Sequence, residues 1–209
     1  MIYPNREAAG RALGGVLEHF RAADPLILGL PRGGVPVAVA IRDTIGGDLD
    51  VLLVRKIGVP WQPELAMGAI GEDGVRVLNA DVVATTGVTP EQFADIEDLE
   101  RVELERRRHV LRTEPPIPLK DRTVIIADDG MATGATVAAA CEIARLHEPR
   151  RVVVAVPVSS AEALHRIRAL ADEVICPLVP RALGGVGGVY RDFHQLSDAE
   201  VVRLLGESR

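Results

Sequence analysis

From Thr123 onward the chain alternates with a regularity that few folds accommodate. "TVIIA" reads as a strand, a loop leads into a helix over 135–147, "RVVVAVP" is a strand, 160–170 a helix and "EVICPLV" a strand. Strands separated by single helices must run in the same direction, so they form a parallel sheet whose two faces the helices cover. The N-terminal half follows the same scheme. Residues 6–20 place Ala9, Ala12, Leu13, Val16, Leu17 and Phe20 at helical spacing behind Asn5 as N-cap. "PLILGL" is a buried strand, "PRGGVPVAVAIRDTIGG" a turn and a helix that Gly46 and Gly47 end, and "DLDVLLV" a second strand. After "RKIGVPWQP", the segments "ELAMGAIG" and "VRVLN" flank "EDG", a hairpin signal. Thr89 to Arg112 is a long charged helix broken by "TEPPIP", its charges reading as a solvated face with i,i+4 pairs. In the tail, Ser197 and Glu200 form a capping box. The expected class is α/β, an open and mainly parallel twisted sheet with helices on both faces.

With 209 residues, 47% of them hydrophobic, the chain can bury one substantial core, so a single domain over 1–209 is expected. A net charge of −6 supplies no broad basic footprint for nucleic acid. Cys141 and Cys176 stand in apolar surroundings with no CxxC or His/Cys cluster, as buried reduced thiols do. The N-terminus carries charges inside its apolar pattern, unlike a signal peptide or a membrane span, and a cytoplasmic protein without a membrane partner is expected.

Chemistry concentrates in "VIIADDGMATGATVAAAC", residues 124–141. In an open parallel sheet, ligands bind beyond the carboxyl ends of the strands, where loops and helix N-termini converge. Backbone N–H groups from Met131 to Ala135, opening into a helix, suit a phosphate, and the hydroxyls of Thr133 and Thr136 add donors. Gly130 and Gly134 permit the tight path. Asp128 and Asp129 would repel that phosphate, so they must face hydroxyls or a cation beside it. A ribose 5-phosphate has this shape of charge. An acidic turn capping the next helix is the plainer reading, and it accounts for one aspartate but not for the pair with TGAT. Neither GxxxxGK[ST] nor GxGxxG occurs.

"VIIADDGMATGAT" resembles the phosphoribosyl-pyrophosphate signature of the type I phosphoribosyltransferases. The resemblance implies that Asp128 and Asp129 bind the ribose 2- and 3-hydroxyls, and that the loop of Gly130, Met131, Ala132, Thr133, Gly134, Ala135 and Thr136 binds the 5-phosphate. It makes "LGLPRGGVPVA" the diphosphate loop, with Arg32, Gly33 and Gly34 facing the leaving group and a cis X–Pro bond expected before Pro31. Lys56, one of two lysines, and Arg55 resemble the "RK" that several members aim at the diphosphate. The implied donor is 5-phosphoribosyl 1-diphosphate with Mg²⁺ held mainly through the substrate near Asp128 and Asp129. The catalytic set is then Asp128, Asp129, Lys56 and Arg32. The layout adds a core of about 24–178, a hood from 1–23 and 179–209, a β-hairpin flexible loop and a homodimer.

The acceptor stays open. Members that use hypoxanthine or guanine carry an aspartate just before the TG, where this chain has Ala132; "ATG" is the version of adenine phosphoribosyltransferases, from which the "GGVPVA" helix, the long helix and the tail depart. The whole chain is most similar to the loosely characterised group called "predicted phosphoribosyltransferase", which does not specify the base. Tyr190 and Phe193, beside a glycine-rich loop, are candidates to stack on a planar base or to pack in the core, and Trp61 to act as a lid or an oligomer contact. Besides an enzyme, two other readings stay open: a non-catalytic sensor of phosphoribosyl pyrophosphate or a nucleotide, and an RNA regulator using the short basic face of Arg106, Arg107, Arg108 and Arg112.

Overall fold

The computed structural model describes residues 2–112 and 114–207. Met1, Thr113, Ser208 and Arg209, which belong to the expected hood segments and to the break after the long helix, lie outside the described residues. Five strands, β1 (Leu26–Gly29), β2 (Asp48–Val51), β6 (Thr123–Ala127), β7 (Arg151–Ala155) and β8 (Glu173–Ile175), form one parallel sheet in the order β2-β1-β6-β7-β8. The chain leaves β1 for β2 on one side and returns to β6 on the other. The loops after β1 and β6 therefore part at a topological switch point, where open α/β sheets leave a crevice.

Alternation along the strands makes two cores. Ile27, Ile125, Val153 and their like pack under α2 (Gly34–Ile45), α1 (Arg6–Val16) and α7 (Asp198–Glu207), while Leu26, Leu28, Val124, Ile126 and Val152 pack under α5 (Ala135–Leu146) and α6 (Ala161–Arg168). Helix α1 begins where expected, Asn5 accepting from the Ala8 N–H at 2.9 Å, but ends four residues early and gives way to a 3₁₀ segment, Glu18–Ala23. Its Gly10 and Gly14 lie against α2: a Cβ on Gly10 would come within 2.6 Å of the Val37 carbonyl.

The segment between β2 and β6 differs most from the sequence reading. The expected second strand, "DLDVLLV", stops at Val51, and its last residue, Val54, opens a separate strand that carries Arg55 and Lys56, β3 (Val54–Val59), which pairs with β4 (Gln62–Gly71) and through it with β5 (Arg76–Leu78) in a small antiparallel sheet. Leu52 and Leu53 interrupt the run without any glycine or proline to mark the break. Trp61 sits exposed at the turn between β3 and β4. A further short helix, α3 (Ala80–Thr86), precedes α4 (Pro90–Leu111), which Thr89 and Gln92 open with a capping box. Cys141 is buried and Cys176 only half-buried; burial pushes their thiols up to about 12 and about 11. No helix among the described residues is long and apolar enough to cross a membrane.

The two terminal segments meet beside the crevice. The Tyr3 N–H donates to the Val189 carbonyl at 2.7 Å, and the Arg191 N–H donates back to Tyr3 at 2.9 Å. The capping box of Ser197 and Glu200 forms at the start of α7.

Candidate active site

Strand β6 delivers the acidic pair to the crevice, and the loop after it turns into α5. A cavity of about 230 Å³ is lined there by Asp128, the whole run from Gly130 to Val137, Glu64 and Val186. The first turn of α5 has N–H groups for which a helix offers no carbonyl, and Gly134 takes the left-handed conformation (φ 72°) that starts it. The loop is tied from below: the Met131 N–H donates to the Val158 carbonyl at 2.9 Å, and the Ser160 hydroxyl donates to the Ala132 carbonyl at 2.7 Å. Met131 thus anchors the loop with the amide that the sequence reading offered to a phosphate. The Ala135 N–H lies 3.3 Å from the Thr133 hydroxyl.

Loop and loop are in contact at the switch point. A Cβ on Gly33 would fall 2.0 Å from the Asp129 Oδ2, and one on Gly34 would fall 2.4 Å from the Ala127 carbonyl oxygen. Both glycines therefore serve close approach, letting the N-terminus of α2 rest on the end of β6. The cis bond in this loop lies between Pro31 and Arg32, one peptide after the expected position.

A second cavity, of about 250 Å³, adjoins the first: Thr136 lines both. Its wall includes Leu30 and Pro31 from the loop after β1, Arg55 and Lys56 from β3, and Glu100 and Arg107 from α4. Each cation is held by a carboxylate: Arg55 Nε by Glu100 at 2.6 Å, Lys56 Nζ by Glu64 at 2.6 Å, Arg107 Nε by Glu103 at 2.9 Å. Glu64 also accepts from the Thr133 hydroxyl at 3.0 Å. The Lys56 and Thr133 contacts hold its carboxyl below the usual range. Arg32 does not line this cavity; its guanidinium lies 3.7 Å from Asp198 at the start of α7.

The acidic pair is not symmetrical. Arg6, itself 8% exposed, donates from Nε to Asp129 Oδ2 at 2.8 Å and from a terminal nitrogen to the His194 carbonyl at 3.0 Å. Asp128 accepts from the Asp129 N–H at 2.8 Å. Burial, followed by the neighbouring negative charge of Asp129, raises the Asp128 carboxyl well above its ordinary value. Burial also raises Asp129, with Arg6 opposing the shift.

Tyr190 and Phe193 are near the pair but already engaged. The Tyr190 hydroxyl donates to the Asp129 carbonyl at 2.6 Å, its ring stacks on Phe193 at 5.1 Å, and the Arg6 guanidinium lies 3.9 Å from the Phe193 ring centre. A base stacking on Phe193 must displace one of these neighbours. The basic face of α4 is likewise committed: Arg106 and Arg107 pair with Glu103, Arg108 with Glu105, and Arg112 is buried between Asp50 and Glu72.

Arg6, Glu64 and Arg107 come to this crevice, Arg6 through Asp129 and the other two as cavity lining, although the sequence reading leaves Arg6 and Glu64 out and names Arg107 only in the basic face of the long helix. For Arg6 a signal exists: it falls three residues before Ala9, on the helix stripe otherwise filled by small and apolar residues.

The sequence model of a family described as phosphoribosyl transferase domain matches residues 1–192. A Mycobacterium tuberculosis protein named "Putative phosphoribosyl transferase Rv0571c" is 47% identical over 205 residues, 98% of this chain and 46% of that protein, so the chain spans about half the length of this relative. The "Bifunctional protein PyrR" of Chloroflexus aurantiacus is 33% identical over 144 residues, 66% of this chain and 72% of that one. Among solved structures, TT1426 from Thermus thermophilus matches with a TM-score of 0.87 and 42% identity over 99% of both chains.

Proposed function

The chain belongs to the phosphoribosyl transferase domain family, and from that premise we propose that it transfers phosphoribose from 5-phosphoribosyl 1-diphosphate to a nitrogenous base and releases diphosphate. The observation that carries this reading is the pair of adjoining cavities that share Thr136, one built by a helix-opening loop and the other walled by Arg55, Lys56 and Arg107. Two anion-suited sites side by side, with Asp128 on the rim of the first, match a ligand that carries a phosphate at one end, a diphosphate at the other and hydroxyls between.

Mg²⁺ fits as an ion shared with the ligand. Among the described residues no group of three or more metal-binding side chains occurs, and Arg6 pairs with Asp129 while no cation pairs directly with Asp128. When bound there, it neutralises diphosphate charge. Asp128 and Asp129 hold the ribose hydroxyls and stabilise the positive charge that grows on the ring as the C1–O bond loosens. Lys56 and Arg55 receive the departing diphosphate, beside the loop of Gly33 and Gly34. A catalytic part for Arg32 requires its ion pair with Asp198 to open. The segments 2–23 and 179–207 form the hood over a core of 24–178 in this reading.

The test is diphosphate release from the donor and Mg²⁺ across a panel of purine and pyrimidine bases. Release that depends on one base and is lost in Lys56→Ala supports the transferase. A protein that binds the donor yet releases nothing with any base is a sensor instead, and the proposal of catalysis falls.

A further inference from the structure

Helix α4 places Glu100, Glu103 and Arg107 at i, i+3 and i+7, on one face of the helix. This face is not simply solvated: Glu100 and Arg107 line the cation-walled cavity. Arg107 is about one-quarter exposed, and beyond its bond to Glu103 it donates to the Pro31 carbonyl at 3.3 Å. Its second terminal nitrogen has no partner among the described residues. A guanidinium carries five N–H donors in a planar fork that matches phosphate oxygens, so donors are left over on a residue that lines the same cavity as Pro31, Lys56 and Thr136. Arg32, by contrast, lies outside the lining and turns to Asp198.

We infer that Arg107, contributed by α4, is a diphosphate-binding residue of this chain and supplies the arginine charge that the loop's own Arg32 directs elsewhere. The inference rests on the proposed function, because it takes the second cavity as the diphosphate subsite. Glu103 holds the guanidinium in place until an anion enters, and the Pro31 contact ties it to the loop after β1, so the cavity is bounded by cations from two separate elements.

Calorimetric titration of the full chain with inorganic diphosphate and Mg²⁺ tests this, with inorganic phosphate as a parallel probe of the loop before α5. Arg107→Ala is expected to weaken diphosphate binding about tenfold, the scale of a charge-assisted hydrogen bond, while phosphate binding changes less than about twofold. Arg107→Lys recovers part of the loss because it keeps the charge without the fork. Arg32→Ala costs less than Arg107→Ala, and Arg108→Ala, on the exposed side, leaves the affinity unchanged. A role that is only structural predicts instead that phosphate and diphosphate affinity fall together in Arg107→Ala, and that result overturns the inference. Donor binding by the unaltered chain with undiminished diphosphate affinity in Arg107→Ala sinks the inference alone. Failure of the unaltered chain to bind donor or diphosphate sinks the proposed function together with it.

Discussion

Asp128 and Asp129 share one corner of the crevice, and among the described residues only Asp129 has a direct cationic partner, Arg6. A like-charge pair kept partly from water is costly to the empty protein and useful to a ligand that brings hydroxyls and a cation, a trade common at binding sites. The sign of its pH dependence follows from the raised carboxyl of Asp128. Where the folded value lies above the unfolded one, the folded chain holds more protons, so stability falls as pH rises from the ordinary carboxylate range through the raised value. Asp128→Asn removes that penalty and leaves the Arg6–Asp129 bond intact. Thermal melting should show the variant equal to the parent at low pH and more stable above, by about 1 kcal/mol or a rise of about 3 °C, with donor affinity lost. A variant that melts lower than the parent at neutral pH contradicts this account of the pair.

At the scale of elements, the hairpin of β3 and β4 reaches the loop before α5 through one side chain. Its Glu64 puts a carboxylate against Thr133 and Lys56, in the cavity proposed for the 5-phosphate. A phosphate in that cavity would compete with Glu64 for the same donors, and the exposed Glu64 side chain would have to turn away from Thr133 and Lys56. Glu64→Gln removes the competing charge, and inorganic phosphate should bind about fivefold more tightly, equivalent to about 1 kcal/mol; equal or weaker binding would show that Glu64 does not guard the loop. This hairpin is also where sequence reading reaches its limit. The helices and strands from Thr123 onward are legible because each has its own apolar period, and α6 and α7 also have side-chain caps in Ser160 and Ser197. β3 is not, since the run from Asp48 to Val59 passes through Leu52 and Leu53 with no turn residue to divide it. The aspartates and TGAT are legible as a local motif, whereas Arg6 meets Asp129 across 123 positions, Arg107 meets Pro31 across 76 and Glu64 meets Thr133 across 69. Contacts of that separation come from the topology of the sheet, and the one local trace they leave is the charge that Arg6 puts on the small and apolar stripe of α1.

For the whole molecule, strand order is what joins these parts. Because β1 lies between β2 and β6, the loop with Gly33 and Gly34 and the loop with Asp128 to Thr136 are neighbours, and the small sheet, α4 and the terminal segments close in around them. The central claim is that this junction binds a phosphoribosyl diphosphate. It is tested most directly by calorimetric titration of the purified chain with 5-phosphoribosyl 1-diphosphate and Mg²⁺, beside the double variant Asp128→Asn/Asp129→Asn. The account predicts saturable one-site binding by the chain as it stands and none by the folded double variant; no binding by the parent, or equal binding by both, would contradict it.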